Sequence, residues 1–162
     1  ARLVRLLQSM PQPWHLDLIG SYEPGDAELL RVQKHSEGLS VVLHGAVPIQ
    51  EVASRFARAD LLVSLSCSES FGMAVAEAAA AGLPVLALAT GEIESFVQNG
   101  KNGWLLPSDA ADHEIHACLH GLLDSPRRLE DAKAARVRPP MADWQDVAHR
   151  FAAACIATQR SS

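Results

Sequence analysis

The sequence predicts an α/β protein: a doubly wound parallel sheet flanked by helices, in one domain spanning residues 1–162. Two observations carry this. Over the first two-thirds of the chain, short apolar runs alternate with amphipathic helical segments, the pattern of parallel strands joined by crossover helices. The strand segments are also nearly continuous in apolar residues, as expected when both faces of a sheet are covered. Ligands of such a sheet sit beyond the carboxyl ends of its strands. The loops at residues 20–23, 45–48, 66–72 and 90–94 are therefore the ones expected to carry function.

Residues 1–10 place Leu3, Leu6 and Leu7 on one helical face with Arg2 and Arg5 off it, and Pro11 and Pro13 stop that helix. Residues 14–20 alternate like a strand and end at Gly20. A helix follows over 24–37, with Pro24 early, Asp26 and Glu28 in its first turn, and Gly38 past its end. Residues 40–44 form a short strand leading into Gly45, Ala46, Val47 and Pro48. Residues 50–59 make an amphipathic helix on Val52, Phe56 and Ala59, and Asp60 precedes the strand 61–66. The stretch 63–90 organises the rest. It starts as a buried strand, breaks into a small polar loop, becomes an alanine-rich helix, and ends in a second apolar run after Gly82, Leu83 and Pro84. Gly91 and a short helix over 92–98 lead to a turn at 99–103 and a last strand at 104–107. From Ser108 the period is helical, over 109–124, 126–136 and 142–158. The chain opens with a helix, where a doubly wound sheet normally opens with a strand.

Composition narrows the function. With 48% hydrophobic and 20% charged residues the chain is globular. A net charge of −5, with 14 Lys and Arg spread along the chain, provides no basic tract for a nucleic acid. Cys67, Cys118 and Cys155 are odd in number and widely separated, which argues against a disulfide framework and suits a reducing compartment. No apolar run reaches bilayer-spanning length and the amino terminus lacks a signal-peptide layout. A cytoplasmic protein is expected, with peripheral contact at the inner membrane face left open.

Between Phe71 and Thr90 the only charged side chain is Glu77, and Glu69 stands eight residues before it. One carboxylate sits at the mouth of the expected helix and the other two turns in. An ionised carboxylate in apolar surroundings is costly unless it has a partner or reaches a wet cleft. Glu77 could pair with an arginine of another helix, or accept hydrogen bonds from a diol such as a ribose, whose two hydroxyls match its two oxygens. Ser66, Ser68 and Ser70 could cap the helix. Alternatively the amides of Phe71, Gly72 and Met73 could meet a phosphate at the helix N-terminus, with Gly72 letting a ligand approach the backbone. There is no GxxxxGK[ST] loop, no GxGxxG fingerprint and no nucleophile elbow around Ser68.

The residues from Glu69 to Glu77, ESFGMAVAE, resemble the E-x7-E motif of retaining, GT-B-fold glycosyltransferases of the family 4 type, the glycosyl transferases group 1. Leu43-His44-Gly45-Ala46-Val47-Pro48 is similar to that family's strand-end glycine loop, and Ala59-Asp60 to the AD before its next strand. The run from Glu77 to Val85 is similar to its EAmaxGxPV segment, Thr90-Gly-Glu-Ile-Glu94 to its GGxPE segment, and residues 99–106 to its dGxnGxLv turn. Thr90 replaces the first glycine of GGxPE, and Ile93 its proline.

The resemblance implies a Rossmann-like C-terminal domain that binds a UDP-, GDP- or ADP-sugar. Glu77 would hold the ribose hydroxyls and Glu69 would contact the donor sugar near the reacting centre. The backbone around Ser70, Phe71, Gly72 and Met73 would meet sugar and diphosphate, and that around Gly45 and Val47 the base. It implies retention of anomeric configuration, electrostatic stabilisation of the leaving diphosphate, and no metal or other cofactor. It also implies that the acceptor-binding N-terminal domain, and the central first strand of the C-terminal domain with its Arg and Lys, are absent from this chain, so that residues 1–162 alone transfer no sugar. Two other readings remain: a noncatalytic nucleotide-binding or scaffold domain, and a sugar-nucleotide epimerase of the same fold.

Other constellations fit structural roles better. His113, His116 and His120 share a helix face turned away from the core residues Ile115, Cys118, Leu119 and Leu122, with no further ligand to complete a metal site. His15 and His44 lie on strands, Lys101 lies in a turn, and Trp104 and Trp144 are expected to anchor packing.

Overall fold

The computed structural model describes residues 1–11, 13–23 and 25–135. The helix expected over 142–158, with Trp144 and Cys155, and the placement of Pro24 lie outside these. The order of elements is α1 (Arg2–Leu7), β1 (Leu16–Ile19), α2 (Ala27–Ser36), β2 (Val41–Gly45), α3 (Ile49–Arg58), β3 (Leu62–Ser64), α4 (Met73–Ala80), β4 (Val85–Leu88), α5 (Ile93–Phe96), β5 (Gly103–Leu106), α6 (Asp112–Leu123) and α7 (Pro126–Ala134). Asp26, expected in the first turn of α2, stands one residue outside it as the N-cap. Its carboxylate accepts from the amides of Glu28 and Leu29 at 2.7 and 3.0 Å.

All strand pairs are parallel, and helices cover both faces, as the apolar runs require. β4 shows how. Leu86 and Leu88 face one core with Leu6, Leu7, Trp104, Ile115, Leu119 and Leu122, built by α1, α6 and α7. Val85 and Ala87 face the other, with Val75, Ala78, Ala79, Ile93 and Phe96 from α4 and α5, and with Phe56 of α3 against it. β3 and β5 follow the same alternation: Val63 and Leu106 on the first face, Leu62 and Leu105 on the second. All four residues of β4 are 0% exposed. Trp104 is a packing anchor, with the Arg128 guanidinium 5.5 Å from its ring centroid.

The sheet is interrupted, in keeping with the central strand that the resemblance implies is absent: β1 and β2 form one hydrogen-bonded pair, and β3, β4 and β5 form a separate three-stranded sheet. Neither β1 nor β3 has a second ladder partner among the described residues. Their residues are at best half-buried where those of β4 are fully enclosed. α1 bridges the break, packing on both α2 and α6, and its buried leucines share a core with Leu16 of β1 and Val63 of β3.

The turn before β5 is fixed from within. Asn102 is buried; its amide donates to the Phe96 carbonyl at 2.9 Å and accepts from the Gln98 N–H at 2.7 Å. The buried side chain just before β5 thereby ties back to the end of α5, satisfying the Phe96 carbonyl and the Gln98 N–H. Since Leu86 lies where β4 meets the first core, Leu86→Ala is expected to lower unfolding free energy by about 2–5 kcal/mol, the range for emptying an enclosed leucine site. Urea denaturation reads it directly.

Candidate functional site

The carboxyl ends of β3 and β4 meet at the loop of residues 65–72 and the turn of residues 89–92. The chain leaves β3 at Ser64, and Gly72 adopts φ +77° and ψ +52° as N-cap of α4. This left-handed turn, open mainly to glycine, lets the helix begin at Met73. Glu77 is therefore little more than one turn inside the helix, about 6 Å along its axis from the first helical residue, rather than two turns.

No side chain caps α4 among the described residues. Ser66 Oγ donates instead to the Ser68 carbonyl at 3.2 Å, within the loop. The capping role weighed for the serines is thus not taken, and the first amides of α4 have no intrahelical acceptor. Phe71 and Met73 are exposed beside them, at 46% and 54%. Phe71 packs edge-on against Phe96, with ring centroids 5.0 Å apart at 69°.

Glu69 and Glu77 are both half-buried, and among the described residues no side chain hydrogen-bonds or ion-pairs with either carboxylate. The arginine partner weighed for Glu77 is not found among the described residues. Its neighbours Val75, Ala76, Ala78 and Ala79 are buried against the second core, so small residues let α4 lie close to β4 while Glu77 reaches the edge.

Gly72 was expected to make room for a ligand. The space it leaves is occupied: a Cβ there would come 3.0 Å from Cγ1 of Ile93, which is fully enclosed. Gly91, which lies in an expected loop but was given no role of its own, has φ +54°. A Cβ on it would stand 2.1 Å from the Glu69 carbonyl oxygen and 2.8 Å from that of Ser70. Nothing in the sequence signals this contact, because it joins two loops more than 20 residues apart.

The second expected loop is built at the ends of β1 and β2. Gly20 N–H donates to the Gly45 carbonyl at 2.9 Å. Tyr22 lies against Gly45, whose Cβ position is 3.8 Å from the ring. Tyr22 was not singled out by the sequence, although it lies in a loop that was. Val47 is half-buried, between Gly45 and the Pro48 N-cap of α3. A cavity of about 390 Å³ opens beside Tyr22 and Asp26, floored by Leu18, Leu29 and Leu43.

A charged cluster supports this loop from behind. His44 Nε2 is 2.5 Å from Asp17 Oδ1, Arg55 Nη1 is 3.0 Å from the same His44 nitrogen, and Arg55 also pairs with Glu51 at 2.5 Å. His15 reaches Asp17 at 3.3 Å and Ser40 at 2.8 Å. The hydrogen bond from His44, with lesser help from His15, holds the Asp17 carboxyl below its ordinary value of 3.8. On α6, His116 lies 3.0 Å from Ser9 Oγ and His120 pairs with Asp124 at 2.8 Å. Among the described residues no three His, Cys, Asp or Glu side chains converge as metal ligands. Lys101 is exposed, and no helix among those residues is long and apolar enough to cross a membrane.

Solved structures with this fold are GT-B glycosyltransferases. The chain superposes on sucrose-phosphate synthase from Thermosynechococcus elongatus with TM-score 0.78 at 24% identity, covering 99% of this chain and 42% of that one. It superposes on HepE of Anabaena, in complex with UDP, with TM-score 0.72 at 21% identity, covering 83% and 38%. At these identities the likeness establishes the fold. The chain belongs to the glycosyl transferases group 1 family, whose profile matches residues 1–125. It is 32% identical over 152 residues to the D-inositol 3-phosphate glycosyltransferase of Xylanimonas cellulosilytica, covering 90% of this chain and 36% of the length of that relative.

The lowered Asp17 pKa has a consequence for stability. A depressed carboxyl stabilises the fold above its unfolded value and loses that effect as pH falls through the folded one. Wild type is thus expected to melt above Asp17→Asn at about pH 5, with the gap closing as pH falls below 3.8. Thermal melts of both proteins across that range measure it.

Proposed function

We propose that this chain is the donor-binding, C-terminal half of a two-domain, retaining glycosyltransferase of the family 4 type, moving a hexosyl group from a nucleoside diphosphate sugar to an acceptor. One observation carries the reading. Among the described residues Glu69 and Glu77 stand unpartnered on either side of a helix N-terminus without a side-chain cap, at the carboxyl ends of two parallel strands. A carboxylate without a protein partner, beside amides without acceptors, suits a ligand that is at once a diol and a diphosphate.

Glu77 would accept from the two ribose hydroxyls. The amides of Phe71, Gly72 and Met73, with the dipole of α4, would stabilise charge on the diphosphate as it leaves, and Ser70 would lie beside the sugar. Glu69 would contact the donor sugar near the anomeric carbon. Gly45 and Val47 would offer backbone groups to the base, with Tyr22 adjacent. HepE, of the same fold, is known in complex with UDP-glucose as well as UDP, which supports a nucleotide-sugar donor. Acceptor binding would fall to a preceding domain, and the sheet break between β1 and β3 would be closed there by a strand.

Titration of the full-length protein with UDP-, GDP- and ADP-sugars tests the reading. Glu77→Ala is expected to weaken donor binding by about 1–3 kcal/mol, the cost of removing a hydrogen-bonding charged group. A variant that binds as wild type but unfolds more readily would make Glu77 structural, and the domain a scaffold. Catalysis is also proposed to need no metal, so transfer is expected to continue unchanged in EDTA, and a loss restored by a divalent cation would refute that.

A further inference from the structure

Resting on the donor-site reading, we propose that Gly91 and Thr90 are positioning residues for Glu69, forming a backstop at the end of β4 against which the glutamate-bearing loop is set. The backstop is rigid. β4 is fully enclosed, Ala89 N–H is held by the Leu106 carbonyl at 2.8 Å, and Thr90 N–H by that of Leu88 at 2.9 Å. Ile93 N–H donates back to the Thr90 carbonyl at 3.2 Å, closing the turn. Within the loop it meets, Ser66 Oγ donates to the Ser68 carbonyl and Cys67 Sγ lies 3.9 Å from the Leu65 carbonyl; from outside, Arg2 Nη1 lies 3.9 Å from Cys67 Sγ and Thr90 Oγ1 donates to the Ser66 carbonyl at 3.4 Å.

Three contacts from the end of β4 and its turn seat the loop, beside the Phe71–Phe96 ring contact and Arg2 Nη1 at 3.9 Å from Cys67 Sγ. Thr90 holds its start by that hydroxyl. Gly91 meets the peptide between Glu69 and Ser70 with no side chain between, a Cβ lying 2.1 Å from the Glu69 oxygen and 3.0 Å from its carbonyl carbon. Ile93 fills the space under Gly72. Any side chain at residue 91 therefore drives the Glu69–Ser70 peptide outward by roughly 1 Å, an offset large enough to cost about a hundredfold in a reaction that depends on placement. Glu77 is spared, because α4 is seated separately, on the second core.

The test is a double-mutant cycle in the full-length protein. Release of nucleoside diphosphate from UDP-, GDP- and ADP-glucose gives the rate, and titration with UDP, GDP and ADP gives binding. Gly91→Ala is expected to lower kcat about 10–100-fold while the Kd for the preferred nucleotide changes less than about threefold. Gly91→Asn, which tolerates the left-handed φ better but still carries a Cβ, is expected to lose as much. In a Glu69→Gln background Gly91→Ala is expected to cost nothing further, since it acts through that side chain. Thr90→Val should lower kcat several-fold and Thr90→Ser restore it, a pair that decides the matter if neither residue-91 variant folds.

Full additivity of Gly91→Ala with Glu69→Gln overturns the backstop, as does an unchanged kcat. Equal loss of rate and of nucleotide affinity also overturns it, because Gly91 would then be holding the whole fold. If Glu69→Gln alone transfers at the wild-type rate, the role given to Glu69 fails first and the backstop falls with it.

Discussion

The structure depends on one strand being buried on both faces. β4 is four residues long, yet each of its side chains belongs to a core: Leu86 and Leu88 to that of α1, α6 and α7, Val85 and Ala87 to that of α4 and α5. Enclosing Val and Leu side chains contributes about 1.5–3 kcal/mol each, and every side chain of this strand is enclosed. Because β4 cannot shift without disturbing two packed layers, whatever is attached to its end is fixed in space. The turn at Thr90 and Gly91 is attached there, and the loop carrying Glu69 rests on that turn.

The same constraint explains how α4 can carry a carboxylate. A long side chain on its inner face would lift the helix off β4. Ala76, Ala78 and Ala79 keep it close, and Val75 completes the contact. The run of alanines also gives good helix propensity, offsetting an N-terminus without a side-chain cap. Glu77 is left as the one charge on a small-residue helix, half-buried and unpartnered among the described residues.

Much of this was legible in the sequence, because periodicity is a local signal. The order of strands and helices follows from apolar spacing, and the two-sided burial of β4 from its unbroken apolar run. Element ends were less legible. Asp26 reads as a first-turn acid, and only the backbone, non-helical at that residue, makes it the cap. The start of α4 was read early because Ser68, Glu69 and Ser70 all favour helix beginnings, whereas the left-handed turn at Gly72 places the true start at Met73. The sheet break is not written in any one strand, since a missing ladder is a property of pairs; it was legible only through the resemblance, which implies an absent central strand. Tyr22 against Gly45, and Gly91 against Glu69, are likewise contacts between distant segments, which no pattern along one segment can announce.

The two departures from the family's GGxPE segment become intelligible at this level. A glycine at residue 90 would have no hydroxyl to offer the Ser66 carbonyl; Thr90 supplies one from a nearly buried position. A proline at residue 93 would lack the N–H that Ile93 donates to the Thr90 carbonyl, and could not continue into the space beneath Gly72 as a branched chain does. Proline would instead stiffen the turn by fixing its own φ, so the chain exchanges a stiff backbone for a bond and a packed side chain. The middle residue had no such freedom. Residue 91 meets backbone atoms directly, and a backbone carbonyl, unlike the tip of a flexible side chain, cannot move aside alone. Of the two positions left unchanged, Gly91 and Glu94, residue 91 is the one where every side chain is too large.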